Sequence, residues 1–320
     1  MEIKPQIRPP VLDEYEALLA CLPVTHSEYP RIHQCYYQQH AGYQGEKMLP
    51  YYLQFLPENC LILYQLRLQN IRNYYFQMDA VVVTPYMILI LEVKNYKGKL
   101  RIEPHYSQLI QKTEHGEKVY PCPLQQSRRQ EQQLRSWLTS HGFPSIPIYS
   151  HICIANDYSH ISSDEPIPNL SHITKLPEVF TQLSSENKRR RLTDKKCLAL
   201  AEEMVRAHEE GRSDLMQKYQ LTPADLQFEV QCAHCPQHFL KKARGGWICE
   251  TCQYRDEKAH VKLFRMYARF VSSEITMKQA SMLLGIEGRN TVRRLVKPYV
   301  QKAGGSTKAS TYCFINERLT

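Results

Sequence analysis

The chain has 320 residues, 42% of them hydrophobic and 23% charged, with a formal net charge of +9 and a pI of about 8.9. That length holds two or three domains with cores of their own, and the composition is that of a globular protein rather than a disordered or fibrous one. The longest apolar run is interrupted at Thr84-Pro85 and ends at Glu92, far short of a membrane span, and no basic leader precedes an apolar core, so a soluble, cytoplasmic chain without signal peptide or membrane contact is expected.

The basic balance favours a polyanionic partner without specifying one. Of eleven cysteines, four cluster, while Cys21, Cys35, Cys60, Cys122, Cys153, Cys197 and Cys313 scatter. That spacing fits one metal site plus free thiols in a reducing compartment, not a disulfide framework.

Residues 1–35 read as an N-terminal extension: a proline-containing extended start, then a helix over Asp13–Cys21 that Pro23 stops. A second helix runs from Ile32, and Gly45-Glu46 opens or adjoins a helix carrying Met48, Leu49, Tyr52 and Leu53. Asn59–Leu68 reads as a strand.

The stretch Gln77–Gly98 is the organising centre of the chain. Ala80–Val83 and Met87–Leu91 are short apolar runs, predicted as two buried strands joined at Thr84-Pro85. Asp79 lies on the first, and Glu92-Val93-Lys94 closes the second, with Glu92 and Lys94 on one face. Charged groups beside apolar strands need partners. Two carboxylates and an ammonium converging there suit a hard cation such as Mg²⁺, with the lysine orienting water or stabilising developing phosphorane charge. The bare pattern D-x12-E-x-K fits equally a plain hairpin with a Glu–Lys pair on its solvated face.

Beyond Gly98, Lys99–Glu103 is predicted to continue the sheet, and Gln108–Tyr120 to form a hairpin centred on His115-Gly116. A helix follows over Gln125–Leu138, with Gln126 and Gln130 one turn apart. Its Arg128, Arg129 and Arg135 are candidate phosphate contacts or simply a solvated face. Ile146–Ala155 is predicted as a core strand, Ser159–Leu170 as a loop, and His172–Leu183 as a short strand and helix. Ser184–Gly211 reads as a long polar helix within a connector spanning 183–227. Its run Lys188-Arg-Arg-Arg191 fits a solvated connector more readily than a nucleic-acid contact.

Gly42-Tyr-Gln-Gly45-Glu46, Met78-Asp79, Glu92-Val-Lys94-Asn95-Tyr96-Lys97-Gly98 and Pro123-Leu-Gln-Gln126 occur in this order. Together they resemble the nuclease-related (NERD) domain of the PD-(D/E)xK nuclease superfamily, over about residues 36–182. The resemblance implies an α/β fold with a restriction-endonuclease-like mixed sheet flanked by helices. It also implies Glu46 as the helical acid, Asp79 and Glu92 as ligands of Mg²⁺ (or Mn²⁺), Lys94 as the catalytic lysine and Gln126 as the polar residue of the next helix. Gln77 and Cys122 depart from the family's usual acidic residue and asparagine.

Cys232-Ala-His-Cys235 and Cys249-Glu-Thr-Cys252, thirteen residues apart, have the spacing of a zinc site. Each knuckle puts two thiolates on one edge of a tetrahedron, and four cysteines make the site closed and structural. With strands over Gln237–Lys242 and Trp247–Cys249, residues 228–258 resemble a zinc ribbon with a basic rim of Lys241, Lys242 and Arg244. In 259–320, Thr276–Ile286 and Arg289–Lys297 resemble a helix-turn-helix, one residue longer than usual between Gly285 and Val292. Arg289, Arg293, Arg294 and Lys297 are its candidate nucleic-acid contacts. A basic turn over Gly304–Lys308 and a strand over Thr311–Ile315 fit a winged-helix-like module, and a small docking helical domain is the alternative.

The expectation is a Mg²⁺-dependent nuclease acting on DNA, gripping it through the ribbon and C-terminal helices. A catalytically inactive nucleic-acid-binding adaptor is the alternative. A platform for DNA-processing proteins is a third.

Overall fold

The structure, a computed structural model, describes residues 1–114, 116–211, 213–235, 238–304 and 310–319. His115, Gln237 and residues 305–308, expected in a hairpin turn, a ribbon strand and a basic turn, lie outside the described residues. The chain opens with β1 (Glu2–Lys4), α1 (Pro10–Cys21), α2 (Tyr29–Glu46) and α3 (Leu49–Leu53). It forms two compact units, Met1–Pro9 with Tyr37–Arg212 and Pro10–Tyr36 with Ser213–Thr320. The first 35 residues are therefore shared between the units.

In the first unit, β2 (Leu61–Gln69), β3 (Tyr75–Val83) and β4 (Ile88–Lys94) form an antiparallel meander. β5 (Gly98–Glu103), β6 (Gln108–Thr113) and β7 (Gly116–Pro121) come next, followed by α4 (Pro123–Ser140). Then come β8 (Ile148–Ile154), β9 (Ser159–Ser163), β10 (Leu170–His172), α5 (Leu176–Glu186) and α6 (Asp194–Arg206). The main sheet runs β1-β2-β3-β4-β8-β10, with β1, β8 and β10 added in parallel. Both faces are covered, which is why β3 and β4 read as unbroken apolar runs. Leu134 and Trp137 of α4 and Leu200 and Met204 of α6 pack on one face, and Leu49 and Leu53 of α3 and Leu176 and Phe180 of α5 on the other.

Three expectations change here. Lys99–Glu103 leaves the main sheet, because Gly98, at φ +96° with Lys112 O 2.5 Å from where a Cβ would sit, turns the chain aside. It enters a second sheet, β7-β6-β5-β9, whose parallel partner β9 occupies part of the expected loop. The long polar helix is two: α5 ends at Glu186, and the Arg191 and Leu192 N–H groups both donate to Pro85 O, at 2.8 and 3.0 Å. Thr193 then caps α6 by accepting from the Lys196 N–H.

The second unit holds α7 (Leu215–Lys218), then β11 (Lys241–Ala243), β12 (Gly246–Ile248) and β13 (Arg255–Asp256), paired as one small sheet. α8 (Ala259–Phe270), β14 (Glu274–Thr276), α9 (Met277–Leu284), α10 (Arg289–Val296), β15 (Val300–Gly304) and β16 (Thr311–Phe314) follow. Thr276 and Gln279 form a capping box, and Gly285 at φ +62° closes α9. The antiparallel sheet β14-β16-β15 completes the element order of a winged helix. Leu240, Trp247 and Cys249 share one core with Phe264, Ala280, Val292 and Phe314, so ribbon and winged helix are packed as a single body.

Candidate active site and cysteine cluster

The β3–β4 ladder ends at the pair Ala80–Leu91, and the strands part beyond it. Asp79 sits at this fork. Its Oδ2 accepts from the Val93 N–H at 2.7 Å, replacing the main-chain acceptor that the ladder no longer supplies. Opposite Asp79 on β2, between the pairs Tyr64–Ala80 and Leu66–Met78, lies Gln65 at φ +50°. The alternation of β2 slips there: Leu61, Leu63, Leu66 and Leu68 all reach the same core cluster. Gln65 thereby turns toward the fork, donates to Glu46 Oε2 at 3.1 Å and accepts from the Ile7 N–H at 3.1 Å.

Glu46 is the last residue of α2 and reaches the site because α2 approaches β4 closely. A Cβ on Gly45 would lie 2.7 Å from Asn95 Cβ and 3.3 Å from Val93 Cγ1, so only glycine permits the contact. On β4, Glu92 and Lys94 share a face, and Lys94 Nζ donates to Glu92 Oε1 at 2.6 Å. α4 closes the cluster: Gln126 accepts from Lys94 Nζ at 3.1 Å and donates to Glu92 Oε1 at 2.6 Å. One turn on, Gln130 Nε2 donates to Glu92 Oε2 at 2.7 Å and to Gln77 O at 2.8 Å.

Glu92, Lys94 and Gln126 are hydrogen-bonded to one another, while Asp79 and Glu46 bond other partners and lie near enough to feel the Glu92 and Lys94 charges. Gln65 and Gln130 join them with no role assigned from sequence. Gln130 carried a signal in its one-turn spacing from Gln126. Gln65 carried one as a lone amide in the apolar run Leu61-Ile-Leu-Tyr-Gln-Leu.

The electrostatics are those of crowded buried acids. Burial, then the charges of Glu92 and Glu46, pushes the Asp79 carboxyl well above the ordinary 3.8. Burial also raises Glu46, with Glu92 adding to the rise while the Gln65 hydrogen bond and Lys94 oppose it. For Lys94, burial works against the ammonium, but Glu92 and Asp79 outweigh it and the pKa is raised. Buried, mutually repelling carboxylates beside a single ammonium are oxygen donors of the kind a hard divalent cation takes.

Of the candidate nucleic-acid contacts, Arg128 and Arg129 are exposed on α4, facing away from buried Ser127 and Gln130. Arg289, Arg293, Arg294 and Lys297 are exposed along α10 and its end, opposite buried Val292 and Val296. On the ribbon, Arg244 is exposed, and Lys241 pairs with Glu250 at 2.6 Å. Lys242 is engaged internally, donating to Ala243 O and Gly246 O with its ammonium 4.5 Å from the Trp247 ring centre.

The sulfurs of Cys232, Cys235, Cys249 and Cys252 lie within 4.8 Å of one another. Neighbouring pairs are separated by 3.4–3.6 Å, near the ~3.8 Å edge of a tetrahedron with ~2.3 Å metal–sulfur bonds. Backbone N–H donation, foremost from Cys252, pulls the Cys249 thiol down to about 6. This cluster could hold a structural metal ion. Five of the scattered cysteines are buried and all are free.

Among the described residues, no helix is long and apolar enough to cross a membrane. No curated protein and no solved structure matches the chain. Residues 41–155 match the family model of the nuclease-related domain, a span that contains Glu46, Asp79, Glu92, Lys94 and Gln126. The chain therefore carries a nuclease-related (NERD) domain, of the PD-(D/E)xK superfamily, over residues 41–155.

Proposed function

We propose that the protein is a divalent-metal-dependent nuclease that hydrolyses phosphodiester bonds in DNA, in the cytoplasm. The observation that carries this is the placement of Lys94 Nζ between Glu92 and Gln126, beside Asp79. Mg²⁺ or Mn²⁺ held by Asp79 and Glu92 would supply Lewis-acid stabilisation of the scissile phosphate. Lys94, kept charged by its carboxylate neighbours, holds a water or phosphate oxygen by its remaining N–H and offsets developing negative charge. Gln126 and Gln130 fix the Glu92 carboxylate, and Gln65 fixes Glu46, which would accept a proton from the attacking water.

Zn²⁺ in the four-cysteine cluster would hold the ribbon. Arg244 and the α10 residues Arg289, Arg293, Arg294 and Lys297 would grip the DNA backbone or groove, and Arg128 and Arg129 would add contacts on the first unit. Lys241 and Lys242 would contribute charge rather than free donors.

A second reading, a nucleic-acid-binding adaptor without turnover, draws on the Glu92 carboxylate: both of its oxygens already accept hydrogen bonds from side chains. The two are separated by incubating labelled DNA and RNA with zinc-retaining protein in Mg²⁺, Mn²⁺ or neither. Divalent-dependent cleavage that disappears in Asp79→Ala supports the nuclease. Binding without cleavage under every condition supports the adaptor.

A further inference from the structure

Residues 188–196 read Lys-Arg-Arg-Arg-Leu-Thr-Asp-Lys-Lys, six basic residues and one acidic in nine. The nuclease chemistry uses none of them. In the first unit they form the α5–α6 connection, and it is firmly held. Asn187 accepts from Tyr149 OH at 3.0 Å, Pro85 O takes two N–H donors from Arg191 and Leu192, and Leu192 is buried. The basic side chains are exposed. Arg190 pairs with Asp194 at 2.7 Å, and among the described residues no acid pairs with Lys188, Arg189, Arg191, Lys195 or Lys196. Lys195 and Lys196 sit in the first turn of α6, where the helix field disfavours cations. A rigid connector that concentrates uncompensated charge is more than a solvated linker requires.

Beside it lies a cavity of about 360 Å³ lined by Pro57, Asn59, Tyr86, Met87, Phe180 and Lys188. Lys188 belongs to both the cavity wall and the basic run, and Tyr86 directly follows the Pro85 that anchors the run. A recess walled by Tyr86, Phe180 and Met87, with the polar groups of Asn59, Thr84, Ser184 and Asn187 and a cationic rim, is the chemistry of a nucleobase flanked by phosphates. The recess is concave, so a paired and stacked base cannot enter it, whereas an unstacked base of a single strand can. The site lies at the turn end of β3 and β4. From Asp79 to Pro85 is six residues along the strand, roughly 20 Å at about 3.3 Å per residue.

We propose that this cavity and its basic rim form a second nucleic-acid site on the first unit. It takes an unpaired base of a single strand in the cavity and the flanking phosphates on Lys188, Arg189 and Arg191. The inference rests on the nucleic-acid partner in the proposed function, not on cleavage.

The test measures fluorescence anisotropy of full-length, zinc-retaining protein without added Mg²⁺, using a labelled oligothymidylate, an abasic strand of equal length and a duplex. Combined Lys188→Glu, Arg189→Glu and Arg191→Glu is expected to weaken oligothymidylate binding at least about tenfold. It should also flatten the log–log salt slope by about 2, three contacts at roughly 0.7 each. Tyr86→Ala is expected to lose about tenfold on oligothymidylate and nothing on the abasic strand or duplex. Should Tyr86→Ala misfold, photo-crosslinking of a 5-iodouracil strand to the wild-type chain replaces it, with crosslinks expected on the peptide bearing Tyr86 or Phe180. Unchanged affinity in the triple variant overturns the proposal. So does equal loss on normal and abasic strands in Tyr86→Ala, a crosslink confined to other peptides, or a wild type that binds no single strand. Cleavage is not read, so a protein that binds as expected but never cuts would sink the nuclease and leave this site standing.

Discussion

Gln130 donates to Glu92 Oε2 at 2.7 Å from a side chain only 3% exposed, and the same amide nitrogen donates to Gln77 O at 2.8 Å. α4 is thereby tied to both strands of the fork, and the Glu92 carboxylate is held from the side opposite Lys94. Gln130→Leu removes the donor and leaves the buried Glu92 Oε2 without it, and the partly exposed Gln77 O open to solvent. A loss of about 1–3 kcal/mol in stability is expected, with cleavage reduced about 10–100-fold, as for residues that orient metal ligands. Denaturant unfolding and cleavage rates of the variant check both. Unchanged values in both would remove Gln130 from the site.

Asp79 carries the pH dependence. Its folded-state pKa is raised, so its contribution to stability is fully present below the ordinary 3.8 and is lost as pH rises through the folded value. Asp79→Asn keeps the acceptor for the Val93 N–H but sheds the buried charge. Its Tm is expected to exceed wild type at pH 8, with the difference closing as the pH is lowered toward 4, while cleavage drops at least about 100-fold. By the same linkage, Mg²⁺ should raise the wild-type Tm more at pH 8 than at pH 5 and leave Asp79→Asn nearly unmoved. A variant less stable than wild type at pH 8 would contradict the assignment.

The approach of α2 to β4 depends on the absence of a side chain at Gly45. Gly45→Ala puts a methyl 2.7 Å from Asn95 Cβ, an overpacking expected to cost about 1–3 kcal/mol and to carry Glu46 away from Gln65. Asn95→Gly in the same chain removes the opposing atom. The double variant should therefore recover most of the loss in chemical denaturation, giving a coupling that two independent sites would lack.

Metal removal should act on the whole second unit. Trp247 shares its core with Cys249 and the winged-helix helices, stacks on His260 with ring centres 5.0 Å apart, and is one of only two tryptophans, the other being Trp137 in the first unit. Chelation, or Cys249→Ser, is expected to release about one Zn²⁺ per chain and red-shift emission from Trp247, read in a Trp137→Phe background. Loss of winged-helix amide protection in hydrogen exchange should accompany it. A loss of protection confined to the ribbon would mean that the two modules fold independently.

Much of this was legible in the sequence, for reasons that can be named. The Asp79, Glu92 and Lys94 strands announced themselves because both sheet faces are covered, leaving unbroken apolar runs in which a charge stands out. The cysteine knuckles were legible because metal geometry dictates spacing. What escaped depends on backbone reversals of low sequence contrast. Gly98 diverts β5 into another sheet, Pro85 O breaks the expected long helix by capturing two N–H groups, and Gln65 adopts a left-handed conformation that no propensity flags for glutamine. The site's amides were the least visible, since glutamine is common on exposed helices and only tertiary placement makes Gln130 a carboxylate's partner.

The most direct measurement is single-turnover cleavage of labelled DNA in Mg²⁺ by wild type and Lys94→Ala, with binding to the same DNA followed in parallel. The result expected is cleavage by wild type, a loss of at least about 100-fold in Lys94→Ala and affinity within about twofold. Cleavage that persists in Lys94→Ala at the wild-type rate would contradict the site, and a wild type that binds but does not cut would leave the domain as a nucleic-acid-binding scaffold.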